Sequence, residues 1–134
     1  MKPVLVDSNV ILDIATNDPR WFEWSKATLS RLGGSSVLVI NAIIYAEVSA
    51  DYDTIEQVNN ILPPLVFRRE PISYEAAFLA GKAYTTYRRR GGQRSSPLPD
   101  FFIGAHAAVA GYRLLTRDAE RYRTYFPTVE LIAP

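Results

Sequence analysis

The chain has 134 residues, which is enough for one domain built around a single hydrophobic core. Hydrophobic residues make up 48% and charged residues 22%, proportions that are ordinary for a globular domain and argue against long disordered stretches. The net charge of +1 does not by itself indicate binding to nucleic acid, and the lack of cysteine excludes disulfides and thiolate metal ligands.

Compact apolar runs alternate with helical patterns along the chain. The runs cover residues 3–7, 37–40, 65–68, 113–116 and 129–132. Because they are apolar almost throughout, they are typical of parallel strands that are covered on both faces. We therefore predict an α/β fold, a doubly wound sandwich whose central, mostly parallel five-stranded sheet is flanked by helices. No repeat or boundary divides the sequence, so residues 1–134 are expected to form a single domain.

Capping residues punctuate the segments between these strands. Asp18 followed by Pro19 predicts a helix start, and the glycine pair at 33–34 predicts the end of that helix. Further N-caps are predicted at Asn41 and Ser73, and C-terminal stops at residues 91–92 and 111. Residues 88–99, rich in arginine, glycine, serine and proline, predict a loop.

The sequence carries no targeting or membrane signal that we can identify. An acid occurs already at Asp7, too early for the apolar core of a signal peptide. The longest nearly apolar stretch, residues 101–112, contains a histidine and is too short to span a bilayer. We therefore expect a cytoplasmic protein that does not interact with membranes.

Four of the 14 acidic residues stand in unusual surroundings. Asp7 ends the first predicted strand and Asp118 follows the fourth, and side chains at such strand ends line the ligand crevice of an α/β sheet. Glu47 shares the apolar stripe of a helix predicted over residues 41–51, and Asp100 begins a helix that is apolar nearly all round. Each one alone is also explained by capping or by an edge position. The other acids are interpreted as a solvated surface or caps, among them Asp13.

In combination the four acids point to a metal site. Two carboxylates about 4 Å apart repel each other by roughly 4 kcal/mol at an effective dielectric constant of about 20. Converging acids therefore need cations or protons between them, and ligand sets made only of oxygen suit Mg²⁺ or Mn²⁺. Paired metals held by carboxylates are typical of phosphodiester hydrolysis.

At these residues the chain resembles the PIN-domain family, specifically its VapC-type ribonuclease toxins. The matching segments are residues 4–12 (VLVDSNVIL), 41–47 (NAIIYAE), 98–107 (LPDFFIGAHA), 114–118 (LLTRD), 125–127 (YFP) and 129–134 (VELIAP). These segments follow the order of the family over essentially the whole chain.

The resemblance implies an endoribonuclease, the toxin of a type II toxin–antitoxin pair, that hydrolyses RNA with a metal-activated water. It implies that Asp7, Glu47, Asp100 and Asp118 bind one or two Mg²⁺ or Mn²⁺ ions, supported by polar contacts from Ser8, Asn9 and Thr116. It also implies a homodimer and a cognate antitoxin protein that blocks the site. Glu120 lies near the place where some relatives carry a further acid, and its role stays open.

Arginines cluster at residues 88–94 of the sequence. Candidate contacts to the RNA backbone are Arg88, Arg89, Arg90, Arg94 and Arg117, although a solvated helix end explains the cluster equally well.

His106 is interpreted as a packing residue. Asn9 argues against a phosphoaspartyl phosphatase, which needs a second aspartate two residues after Asp7, and the third strand offers no aspartate for a receiver domain. A non-catalytic PIN-like module that binds RNA or protein stays the alternative.

Overall fold

The computed structural model describes residues 1–92 and 98–134 of the chain. Its strands are β1 (Val4–Val6), β2 (Leu38–Ile40), β3 (Phe67–Arg69), β4 (Arg113–Leu115) and β5 (Leu131–Ile132). Its helices are α1 (Ser8–Ala15), α2 (Phe22–Gly33), α3 (Ala42–Ser49), α4 (Ile55–Ile61), α5 (Tyr74–Arg89), α6 (Leu98–Ala110) and α7 (Glu120–Tyr125). Strands and helices alternate, as the sequence predicts.

The five strands form one sheet in the order β3-β2-β1-β4-β5. Every neighbouring pair is parallel, and β1 in the centre pairs Leu5 with Val39 of β2 on one side and with Leu114 of β4 on the other. All three residues of β1 and of β2 are buried, which explains why these runs contain no polar position. The predicted α/β architecture is confirmed, and the sheet is parallel throughout.

The third and fifth strands begin two residues later than predicted. Leu65 is fully exposed, because the N–H groups of Val66 and Phe67 both donate to the carbonyl of Pro63 and form a turn there. Phe67 is consequently the first residue of β3 to pair with β2. In the same way Val129 donates to the carbonyl of Phe126, so its backbone belongs to a turn and not to β5. Apolar character alone did not separate turn from strand.

Helix ends follow the predicted caps with one exception. The side chains of Asn41 and Ser73 accept hydrogen bonds from the N–H groups three residues later and begin α3 and α5. Asp18 instead accepts from the N–H groups of Arg20 and Trp21, within a turn, and α2 begins only at Phe22. Helix α4 was not predicted, although Thr54 and Gln57 form a capping box at its start.

The core lies on both faces of the sheet, and helix α6 is buried along most of its length. Gly104 of α6 lies against the ring of Phe126, and a β-carbon at this position would overlap that ring. The glycine therefore permits a close approach between α6 and the segment that follows α7. Over the described residues, helices of the length and apolar character needed to cross a membrane do not occur.

Candidate active site

The site forms at the carboxyl ends of β1 and β4, which are neighbours in the centre of the sheet. The N–H of Asp7 donates to the carbonyl of Leu115 at 2.9 Å, so the residues that follow the two strands are brought side by side. Thr116 Oγ1 then donates to Asp7 Oδ2 at 2.9 Å. Parallel pairing thus places residues more than a hundred positions apart in one crevice.

Asp7 is 3% exposed and uses both of its carboxylate oxygens. Oδ1 accepts from the N–H of Ser8 at 2.8 Å, which makes Asp7 the N-cap of α1. Oδ2 accepts from the hydroxyls of Thr116 and Tyr122, each at 2.9 Å. Asp7 is therefore the N-cap of α1, and its carboxylate also faces the crevice at the ends of β1 and β4.

Glu47 reaches the same crevice from α3. Its Oε1 accepts a hydrogen bond from Ser8 Oγ at 2.8 Å, and the side chain is half-buried. Ser8 therefore joins the first and second acids through its backbone N–H and its hydroxyl. The apolar stripe on which Glu47 lies turns the carboxylate toward the site, as its position in the sequence predicts.

Asp100 lies in the first turn of α6, and its Oδ2 forms an ion pair with Arg121 Nη1 at 2.8 Å. Asp118 is exposed, and its N–H donates to Thr116 Oγ1 at 3.1 Å. Asp118 does not cap α7, because Ala119 occupies the cap position without a side-chain hydrogen bond. Its charge acts on Asp100, where it raises the pKa.

Three of these acids, Asp7, Glu47 and Asp100, have pKa values above their ordinary ones. Burial, together with the charges of Asp100 and Glu47, raises the pKa of Asp7 to about 6, against the lowering effect of hydrogen bonds from Thr116 and Tyr122. Burial also raises the pKa of Glu47, with a further contribution from the charge of Asp100. Burial and the charge of Asp118 raise the pKa of Asp100, and the charge of Arg121 opposes them. Desolvation and like charges both disfavour the ionised forms, so the site has the electrostatics of a cation-binding pocket.

The donor chemistry of the site fits a hard divalent cation, since the polar groups are carboxylates and hydroxyls. In the described part of the chain, however, no three Asp, Glu, His or Cys side chains are arranged so that they could hold a metal ion directly. Protein donors already contact both oxygens of Asp7, one oxygen of Glu47 and one of Asp100.

The predicted supporting residues form a connected network. Thr116 Oγ1 accepts from Asn9 Nδ2 at 3.2 Å while it donates to Asp7, and Asn9 Oδ1 accepts from the N–H of Arg117 at 3.3 Å. The network therefore fixes the turn after β4 against the start of α1. Ser8, Asn9 and Thr116 are thus hydrogen-bonded around Asp7 and Glu47.

Two residues of α7 that contact the acids were missed from the sequence. Tyr122 is buried, donates to Asp7, and has its pKa raised well above the ordinary value by burial and by the charge of Asp7. Arg121 pairs with Asp100. A signal was present, because both follow Asp118 within four residues. Helix α7 was not predicted, so this closeness to Asp118 in the sequence did not indicate that the two side chains turn back toward the sheet.

Asp13, which the sequence analysis assigned to a solvated surface or a cap, is buried. It is 2% exposed, accepts from Ser25 Oγ at 2.8 Å, and pairs with Arg117 Nε at 2.9 Å. It therefore does not belong to a solvated surface. The guanidinium of Arg117, a candidate RNA contact, pairs with the carboxylate of Asp13 and lies over the ring of Trp21.

The other predicted arginines lie at the end of α5 and beyond it. Arg88, Arg89 and Arg90 are exposed, and Arg90 lies over the ring of Tyr125 at 5.7 Å from its centroid. Tyr125 also lines a groove formed with Asp118, Glu120, Arg121 and Thr124. Arg94 lies outside the described residues.

His106 is buried on α6, six residues after Asp100, and its Nδ1 lies 2.9 Å from Asn41 Nδ2. Because Asn41 Oδ1 caps α3, this amide is the donor and His106 Nδ1 the acceptor. Burial lowers the pKa of His106, in agreement with a neutral ring. The histidine thus ties the helix that carries Asp100 to the helix that carries Glu47.

Comparison with known proteins gives a match over most of the chain. The sequence profile described as PIN domain matches residues 4–127. No curated protein sequence matches the chain significantly.

Several solved structures are similar over nearly the whole length. VapBC2 from Rickettsia felis, solved with a DNA fragment from its promoter, has a TM-score of 0.74 at 18% identity, covering 97% of each chain. A toxin–antitoxin complex from Klebsiella pneumoniae has a TM-score of 0.70 at 21% identity, covering 94% of each chain. VapC20 from Mycobacterium tuberculosis, described as a sarcin-ricin loop cleaving toxin, has a TM-score of 0.63 at 17% identity, covering 95% of this chain and 98% of that one. At these identities the likeness shows a shared fold.

Proposed function

The chain belongs to the PIN-domain family, and on that basis we propose that it is a metal-dependent endoribonuclease, the toxin of a type II toxin–antitoxin pair. The observation that carries the proposal is the meeting of acids at one crevice: Ser8 donates to both Asp7 and Glu47, Tyr122 donates to Asp7, and the adjacent Arg121 pairs with Asp100. Burial, with smaller contributions from neighbouring charges, raises the pKa of Asp7, Glu47 and Asp100. RNA as substrate is supported by VapC20, a structural neighbour described as cleaving the sarcin-ricin loop.

Asp7, Glu47, Asp100 and Asp118 would hold one or two Mg²⁺ or Mn²⁺ ions. When bound, such ions lower the pKa of water and stabilise the charge that develops on a leaving oxygen. The chain's own donors orient the acids: Thr116 and Tyr122 hold one oxygen of Asp7, and Ser8 holds Glu47. Asn9 in turn fixes Thr116. An acid so restrained loses little freedom on ligation.

The RNA backbone would be bound by arginines near this crevice. Arg90 lies over Tyr125, which lines the groove beside Asp118, and Arg88 and Arg89 lie on the same helix end. Arg94 and Arg117 complete the proposed set. Phosphate contacts of this kind supply affinity that does not depend on sequence.

We further propose an antitoxin protein as partner, a homodimer as the assembly, and the cytoplasm as the location. A protein partner is supported by the structural neighbours, among which are a toxin–antitoxin complex and VapBC2. Co-expression with a cognate antitoxin is expected to yield a stable complex and to suppress RNA cleavage. Light scattering of the purified chain is expected to give twice the mass of 15.1 kDa.

The direct test is cleavage of RNA by antitoxin-free protein with Mg²⁺ or Mn²⁺. Cleavage is expected to stop on addition of a chelator, and Asp7→Asn is expected to lower the rate more than about 100-fold, because a metal ligand is lost. The matched control is Asp51→Asn, an exposed acid beyond the end of α3, which is expected to cut at the wild-type rate. Equal cleavage by the wild type and Asp7→Asn, or none by either, would favour the non-catalytic PIN-like module.

A further inference from the structure

Arg121 is a cation supplied by the chain itself to the acid cluster. Its Nη1 lies 2.8 Å from Asp100 Oδ2, and both side chains are 29% exposed. The charge of Arg121 lowers the pKa of Asp100 against the effects of burial and of Asp118. A guanidinium stays protonated at every accessible pH, so this contact cannot be relieved by loss of a proton. Only a change of partner can free the Asp100 oxygen.

The position of Arg121 is set by the aromatic cluster beneath it. The guanidinium lies 5.7 Å from the ring centroid of Tyr87, which in turn packs against Phe101 and Tyr125. Phe101 is fully buried and follows Asp100 on α6, so the cluster is anchored in the core beside the acid. A cation over an aromatic ring is stabilised there without a carboxylate partner. Arg121 can therefore exchange its partner without leaving the site.

Arg121 also lines a groove in which it could bind a second partner, an RNA phosphate. This groove, of about 400 Å³, is formed by Asp118, Glu120, Arg121, Thr124 and Tyr125. Arg121 is the one basic residue among the five that line the groove, and the two acids among them, Asp118 and Glu120, would repel a phosphate. Arg90 lies over Tyr125 on the same side. An RNA backbone that crosses the groove would consequently meet the Arg121 guanidinium, whose fork of donors matches a phosphate.

We propose that Arg121 exchanges between two partners, the Asp100 carboxylate and an RNA phosphate, and that a divalent cation drives the exchange by competing for Asp100. This inference rests on the proposed nuclease function. It gives a role to the ion pair in which Asp100 faces Arg121. Arg121 would be a substrate-binding residue that also tunes metal affinity.

The test separates metal binding from cleavage. Mn²⁺ affinity is measured without RNA, by electron paramagnetic resonance, for the wild type, Arg121→Gln, Arg121→Lys and the control Arg123→Gln, which changes an exposed arginine on the same helix. Arg121→Gln is expected to bind Mn²⁺ about three- to tenfold more tightly, because a competing positive charge is removed. Arg121→Lys and Arg123→Gln are expected to stay within about twofold of the wild type, and unchanged circular dichroism checks folding.

The second measurement is the KM for an RNA oligonucleotide at several salt concentrations and saturating Mn²⁺. Arg121→Gln is expected to raise KM about tenfold and to reduce the slope of log KM against log salt by about one, while Arg121→Lys keeps most of that slope. Unchanged or weaker Mn²⁺ binding by Arg121→Gln, or an unchanged KM, overturns the exchange while the nuclease stands. A wild type that binds no Mn²⁺ and cuts no RNA overturns both proposals.

Discussion

Asp7 is the residue at which burial and charge conflict most strongly. It has lost almost all contact with water, and its hydrogen bonds to Thr116, Tyr122 and Ser8 do not compensate fully, since its pKa still rises to about 6. A carboxylate in such a position lowers the stability of the folded chain when it is ionised. Stability and the proposed function therefore oppose each other at this residue.

This conflict gives a prediction about stability and pH. The pKa of Asp7 is higher in the folded chain than its ordinary value of 3.8, so the folded chain binds more protons between about pH 4 and pH 6. The free energy of unfolding is therefore expected to fall as pH rises through that window. Asp7→Asn, measured by urea denaturation with a chelator present, is expected to be more stable than the wild type by about 1–3 kcal/mol at pH 7 and nearly equal at pH 4.

Asp13 supplies the control for this prediction. It is as buried as Asp7, but its carboxylate meets Arg117 and Ser25 in place of other acids. Asp13→Asn is expected to lower the free energy of unfolding by about 1–3 kcal/mol at pH 7, because Arg117 loses its partner. If both variants shifted stability in the same direction, repulsion among the acids would not explain the Asp7 result.

At the scale of elements, α6 connects the site to the core. Asp100 lies in its first turn, His106 bonds to the cap of α3, and Gly104 admits the ring of Phe126. These contacts fix the helix that carries Asp100 relative to the helix that carries Glu47 and to the segment after α7. The geometry of the site thus depends on how closely α6 packs.

Substitution of glycines in two helices tests that packing. Gly104→Ala is expected to destabilise the chain by about 1–3 kcal/mol, because the new methyl group overlaps the buried ring of Phe126. Gly81→Ala in α5 meets no atom within 4 Å and is expected to stabilise by about 0.5–1 kcal/mol through helix propensity. Thermal denaturation of both variants measures the difference. Equal effects of the two substitutions would contradict a close contact at Gly104.

At the scale of the whole molecule, the acids join distant parts of the chain, so an ion held between them is expected to stabilise the entire fold. Saturating Mn²⁺ at about 100 times its Kd should raise the free energy of unfolding by about 2.7 kcal/mol. The shift in melting temperature is measured by calorimetry for the wild type and for Asp7→Asn, in which it should be much smaller. A shift of the same size in both proteins would point to binding elsewhere.

The sequence by itself determined the strands β1, β2 and β4, because a continuous apolar run of strand length is stable only where both of its faces are buried. It also determined the caps at Asn41 and Ser73, since capping is a local hydrogen bond. Asp7, Glu47, Asp100 and Asp118 stood out for a similar reason: each is charged where its neighbours are apolar.

Only the tertiary structure decided what each acid meets. Asp13 resembles a surface residue in the sequence and is buried, because Arg117 returns to it from 104 residues further along the chain. Arg121 and Tyr122 reach the site because α7 folds back over the ends of β1 and β4. Contacts between residues that are far apart in sequence depend on packing, and a local pattern does not encode which of two buried aspartates faces a cation and which faces other acids.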